Sequence, residues 1–239
     1  MVSIATVSTC SGNLRKTNSF IVKVIVVKNG VIRYMNEKDG IKTIESDSFQ
    51  GKNVDILHMA NCRILKPNEV TKLIRAIPKV IYVDMFEALL YSGCRYVEMQ
   101  RLYKHPEWFR DKFIHLTKKS RATRKKKAVM DERYVHLNQA GISAIRHFLD
   151  GNKNLPTYKA WRENLVRWAE MAEISTELLS PKTTRKTWES WLVWYYPEKI
   201  ATIFGSQGHT ELTALRHYVN LPFTTDDKAD MKRYVEGWE

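Results

Sequence analysis

The hydrophobic period of the chain turns from strand-like to mainly helical near Leu65, and this restricts the possible folds more than any other feature. Between residues 20 and 45, apolar and polar side chains alternate around Asn29-Gly30 and Asp39-Gly40. These dipeptides accept φ > 0 in tight turns, so the pattern predicts a three-stranded meander. The first 19 residues are rich in Ser, Thr and Asn, lack an apolar period and read as a flexible tail. From Leu65 onward helical spacing dominates, which divides the chain into an N-terminal extension over residues 1–64 and a main domain over 65–239.

The main domain opens with KPNEV, where Pro67 suits a first helical turn and Glu69 the positive end of the helix dipole. A helical face over 82–90 stops at Ser92-Gly93. Two strand-like runs follow, 108–116 and 128–137, joined by a very basic connector. Further helices fit 139–149, 158–172, 183–194, 198–204, 211–219 and 226–235. The expected class is α+β, mainly α, with a small antiparallel sheet preceded by a short β-rich segment. There is no internal repeat.

Lys and Arg number 39 against 26 Asp and Glu, a formal charge of +13 in 239 residues, which suits a polyanionic partner that releases counterions on binding. Seven Trp and eleven Tyr supply the large side chains that repay ordering entropy, so the bulk of the chain is expected to fold. Cys10, Cys62 and Cys94 lack the paired spacing of zinc sites and disulfide frameworks, which points to a reducing, cytoplasmic setting. No apolar run reaches the roughly 18 residues of a membrane span, so a soluble protein is expected. Neither a phosphate-binding glycine loop nor a metal-ligand cluster is visible, and the expected cofactor is none.

Four fragments carry chemistry. The connector KKSRATRKKK runs from Lys118 to Lys127 and places its cations against solvent or phosphate, since a buried unpaired charge is prohibitive. Upstream, SGCRYVEMQRL puts Arg95 just after a helix-ending glycine and Glu98 one turn beyond. Downstream, SPKTTRKTW puts Lys182 and Arg185 three apart, on one helical face. Finally, QGHTELTALRHYVN places His209 after a glycine and Tyr218 nine residues later.

In this order and spacing the fragments resemble the tyrosine recombinase family over about 65–219, and within it most closely the integrases of archaeal spindle-shaped viruses. The resemblance implies cleavage and rejoining of DNA through a 3′-phosphotyrosine formed by Tyr218, without ATP or metal. Arg95 and Arg185 would clamp the phosphate, because guanidinium forks are always charged and bind oxygens in pairs. Lys118, or Lys119 beside it, would protonate the departing 5′ oxygen. His209 would hydrogen-bond the scissile phosphate or the nucleophile. Lys182 stands where most members carry His, which leaves the general base open. Glu98 would orient Arg95 or a neighbouring basic group. Lys119, Arg121, Arg124, Lys125, Lys126 and Lys127 would grip DNA.

The implied partner is double-stranded DNA at attachment sites, with a homotetramer on DNA and a free monomer or dimer. The setting would be viral or plasmid integration in the host-cell cytoplasm. Two departures stand out: a β-rich extension replaces the usual helical core-binding domain, and Ser206-Gln207 replaces apolar residues before Gly-His. The extension could bind arm-type sites or pack on the main domain, and the helix over 226–238, with Met231, Tyr234 and Val235 on one side, could dock on a neighbour or on its own domain. Two other readings share these residues. One is a type IB topoisomerase-like relaxing enzyme, and the other an inactive DNA-binding regulator.

Overall fold

The computed structural model describes residues 23–27, 31–36, 40–42, 56–117, 119–123, 126–130, 132–150, 154–208 and 221–238. The chain divides into two compact units, Met1–Asn53 and Val54–Glu239. In the first unit, strands β1 (Lys23–Val27), β2 (Val31–Asn36) and β3 (Gly40–Lys42) form an antiparallel sheet in sequence order, a three-stranded meander.

The second unit begins with a short hairpin of β4 (His58–Met59) and β5 (Cys62–Arg63). Leu57, Met59, Cys62, Ile64 and Leu65 are buried in its core, so these residues belong with the helices that follow. Helix α1 (Pro67–Ala76) starts as the sequence predicts, with the Lys66 amide donating to Glu69 Oε2 at 2.8 Å and Pro67 in the first turn. Helix α2 (Val80–Ser92) ends at Gly93, which has φ 60°. Helix α3 (Tyr96–Lys104) leads through a 3-10 turn at Pro106–Trp108 into the sheet region.

Here the structure corrects the sequence reading. The run over 108–116 is cut into β6 (Phe109–Arg110) and β7 (Phe113–Leu116) by a turn in which Asp111 has φ 48°. The basic connector is itself two strands, β8 (Lys119–Thr123) and β9 (Lys126–Met130), paired antiparallel with Thr123 opposite Lys126. Strand β10 (Arg133–His136) then returns beside β7, giving a sheet of order β10-β7-β6 and a separate two-stranded arm. Reading charge alone missed this, because backbone amides and carbonyls need partners whatever the side chains are.

Among the described residues five more helices follow: α4 (Gln139–Leu149), α5 (Tyr158–Met171), α6 (Thr183–Tyr195), α7 (Ile200–Gln207) and α8 (Thr225–Val235). Helix α4 has the predicted bounds, and its start is fixed by Asn138 Oδ1 accepting from the Gly141 amide at 2.9 Å. Helix α7 runs past Gly205 and stops at Gly208, which has φ 65°, and a 3-10 turn (Pro197–Lys199) occupies its expected start. The predicted helix over 211–219 lies outside the described residues. Among the described residues, no helix is long and apolar enough to cross a membrane.

The core is aromatic. Trp161, Trp188, Trp191 and Trp238 are fully buried, and Trp161 meets Trp168 edge-on at 5.4 Å and 78°. Trp191 donates from its indole to the Leu65 carbonyl at 3.1 Å, tying α6 to the start of α1. Helix α8 and the residues after it pack on the same domain: Met231, Tyr234, Val235 and, beyond the helix, Trp238 are buried, and Tyr234 Oη meets Thr71 Oγ1 at 2.8 Å. Asn138 Nδ2 donates to the Tyr234 carbonyl at 2.7 Å, and Trp238 donates to the His136 carbonyl at 3.1 Å.

Candidate active site

Four stretches distant in sequence converge beside the end of α2: the Gly93–Glu98 turn, strand β10, helix α6 and the end of α7. Glu98 lies at their centre, with its side chain 0% exposed. Its Oε1 accepts from Arg95 Nη1 at 2.7 Å, while Oε2 accepts both the Arg95 backbone amide and Arg133 Nη2 at 2.8 Å. The carboxylate therefore caps α3 and joins two guanidiniums. Burial pushes its carboxyl up, but the hydrogen bond and charge of Arg133, with the charge of Arg95, outweigh that and hold it at about 2.

Arg95 and Arg185 differ in access. Arg95 keeps 45% of its side chain exposed, so its fork can reach a ligand while held by Glu98. Arg185, in the first turn of α6, is 4% exposed. Its Nη1 donates to the Gly93 carbonyl at 2.7 Å and to Gln207 Oε1 at 2.9 Å, and Nη2 donates to the Gln207 carbonyl. Burial and the nearby cations Arg95 and Arg133 lower its pKa, against the opposing charges of Glu189 and Glu98. Lys182 is exposed at the residue capping α6, one position before the helix it was expected to share with Arg185.

The end of α7 is fastened on both sides. Gln207 Nε2 donates to the Ser92 carbonyl at 3.2 Å, Ser206 Oγ accepts from the His136 amide at 3.1 Å, and the Ser206 carbonyl accepts from Arg133 Nε at 3.1 Å. The glycines at the two turns have no room for a side chain. A Cβ on Gly93 would lie 2.6 Å from Gln207 Oε1, and one on Gly208 would lie 2.9 Å from Arg133 Cδ. Gly208 immediately precedes His209.

Lys118, Arg124, Lys125, His209 and Tyr218 lie outside the described residues. Lys119 and Arg121 fall on β8, and Lys126 and Lys127 on β9, so the backbone places these four on the two-stranded arm. The structure adds Arg133, which sequence reasoning missed although a signal was present. Strand alternation puts Arg133 on the face of Val135, which is buried, and a cation on a core face needs a partner. Ser206 and Gln207, polar where apolar residues are expected, are both buried and hydrogen-bonded, to His136 of β10 and to Ser92 at the end of α2. Among the described residues, no group of three or more His, Cys, Asp or Glu could hold a metal ion.

No protein-family model matches the sequence, and no curated protein matches it. The fold, however, is shared with a solved structure. The Tn1549 transposon integrase in complex with circular intermediate DNA is similar at a TM-score of 0.50 and 18% identity, covering 71% of this chain and 66% of that chain. A second structure of that integrase, with transposon right end DNA, is similar at a TM-score of 0.49 and 18% identity, over 78% of this chain and 68% of that one. The present chain thus has the mainly helical fold with small antiparallel sheets of an integrase catalytic domain.

Proposed function

We propose that this chain is a tyrosine recombinase that cleaves and rejoins DNA at specific sites and serves as an integrase for a viral or plasmid genome. The observation that carries the reading is the convergence of Arg95, Glu98 and Arg185 with the Gly208 turn that leads into His209. A shared fold with a DNA-bound integrase supports a duplex DNA partner, as does the +13 formal charge.

In this reading the phenolate of Tyr218 attacks phosphorus, the bond to the 5′ oxygen breaks, and a 3′-phosphotyrosine is left. Lys118, or Lys119 on the basic arm, protonates the departing oxygen, and His209 assists proton movement at the phosphate. Arg95 and Arg185 stabilise the charge that develops on the non-bridging oxygens. Lys182 contributes positive charge at the mouth of α6. The phosphodiester energy is kept in the covalent link, so neither ATP nor metal enters, and the ligation step reverses the cleavage. The chain would act in the host-cell cytoplasm, as a tetramer on DNA.

The near-complete burial of Arg185 favours one other reading, a recombinase-like DNA-binding regulator in which that arginine is structural. A suicide-substrate assay separates the two. The protein is incubated with nicked or phosphorothiolate duplexes carrying candidate attachment sites, and an SDS-resistant adduct is sought in wild type and Tyr218→Phe. The proposal expects an adduct in wild type only, with DNA affinity kept within about twofold. Salt-sensitive binding without an adduct on any sequence would select the regulator.

A further inference from the structure

The polar residue immediately before Gly208 holds the buried arginine of the site. Gln207 makes three hydrogen bonds there. Its Oε1 accepts from Arg185 Nη1 at 2.9 Å, its backbone carbonyl accepts from Arg185 Nη2, and its Nε2 donates to the Ser92 carbonyl at 3.2 Å. One side chain thus bridges the start of α6, the end of α2 and the end of α7. It is 1% exposed, so these bonds form away from competing water.

We propose that Gln207 is a positioning residue for strand cleavage: it fixes the plane and rotation of the Arg185 guanidinium against the turn that carries Arg95. The inference rests on the function proposed above and deepens it. A guanidinium helps a phosphoryl transition state only if its fork is already aimed, because reorienting it during the reaction would cost what the interaction gains. Oε1 and the backbone carbonyl of Gln207 sit on different Nη atoms, so together they set rotation about the Nε–Cζ axis. The Gly93 carbonyl takes Nη1 at 2.7 Å and completes the frame. An apolar side chain at 207 would keep the backbone carbonyl but remove the Oε1 acceptor and the tie to Ser92. The close approach at Gly93, where a Cβ would strike the Gln207 amide, shows how tightly the amide is inserted.

The test uses the full-length protein and two readouts. In the first, the Arg185 guanidinium is observed by nitrogen-15 NMR, assigned through Arg185→Lys. Wild type should give separate, slowly exchanging Nη–H signals, and Gln207→Met, which matches the volume without the amide, should broaden or merge them. The second is single-turnover adduct formation on a nicked duplex, with Tyr218→Phe as the blank. Gln207→Met should slow it about 10–100-fold with DNA Kd unchanged within twofold, and the effects of Gln207→Met and Arg185→Lys should be strongly non-additive. Should Gln207→Met unfold by circular dichroism, Gln207→Asn, which draws the amide back by one methylene, serves for both readouts. Unchanged Nη signals, or additive rate effects, would overturn the proposal. Altered Nη signals in a protein whose wild type forms no adduct would keep the structural contact but remove both its role in cleavage and the proposed function.

Discussion

Glu98 Oε2 and Arg133 Nη2 form a 2.8 Å ion pair in which the carboxylate side chain is 0% and the guanidinium 8% exposed. Arg133 reaches on to the Ser206 carbonyl and Glu98 to Arg95, so the pair links strand β10 to two of the turns around the site.

The pair should make stability sensitive to acid. Glu98 ordinarily titrates at 4.5 and is held at about 2 in the fold, so its contribution is complete above about 4.5 and is lost as pH falls toward 2. A difference of about 2.5 corresponds to roughly 3 kcal/mol. Urea unfolding of wild type between pH 5 and pH 2 should show this loss. Glu98→Gln should be less stable at pH 7 and should have a correspondingly flatter acid limb. An unchanged limb would mean that Glu98 is not charged in the fold.

Two glycines provide opposite tests of backbone geometry. Gly93→Ala places a Cβ at φ 60° and 2.6 Å from the Gln207 amide, so it should cost at least about 1–2 kcal/mol and weaken any activity with it. Gly205→Ala lies inside α7, where an added Cβ meets nothing within 4 Å, and should stabilise by about 0.5–1 kcal/mol. Thermal melts of the two variants should move in opposite directions.

In the proposed function, the cations from Arg124 to Lys127 should govern the salt dependence of DNA binding, while the chemistry falls to Lys118 or Lys119. Replacing Arg124, Lys125, Lys126 and Lys127 together by Ala should lower the slope of log Kd against log salt by about 0.9 for each phosphate left unneutralised. Fluorescence anisotropy across a salt series measures the slope. An unchanged slope would place the DNA path elsewhere.

The C-terminal segment from α8 to Trp238 should stabilise its own subunit. Trp238→Ala empties a fully buried indole site and breaks the bond to the His136 carbonyl, at an expected cost of about 3–5 kcal/mol. Because the helix packs within one chain, the cost should not depend on protein concentration. A concentration-dependent unfolding midpoint would instead indicate exchange of the helix between subunits.

Much of the helical framework is legible in the sequence because local signals act alone there. Asn138 caps α4 and Gly93 stops α2 whatever surrounds them. The end of α7 is less legible, since Gly205 and Gly208 compete as stops and only tertiary contacts at Ser206 and Gln207 favour the second. Arg95, Glu98 and Arg185 stand out through the family resemblance of their fragments, whereas the burial of Arg185 and the pairing of Glu98 with Arg133 depend on segments 22 to 92 residues away. Arg133 is hidden for the same reason: one strand position decides whether a cation meets solvent or a carboxylate.

The edge-on pair of Trp161 and Trp168 has an optical consequence. Two indoles 5.4 Å apart and inclined at 78°, neither more than 2% exposed, have coupled transition dipoles. They should give an exciton couplet in the far-ultraviolet circular dichroism that Trp168→Phe abolishes. Because the coupling decays steeply with separation, the couplet would register loosening of α5 before its backbone unwinds, giving the core a built-in spectroscopic ruler.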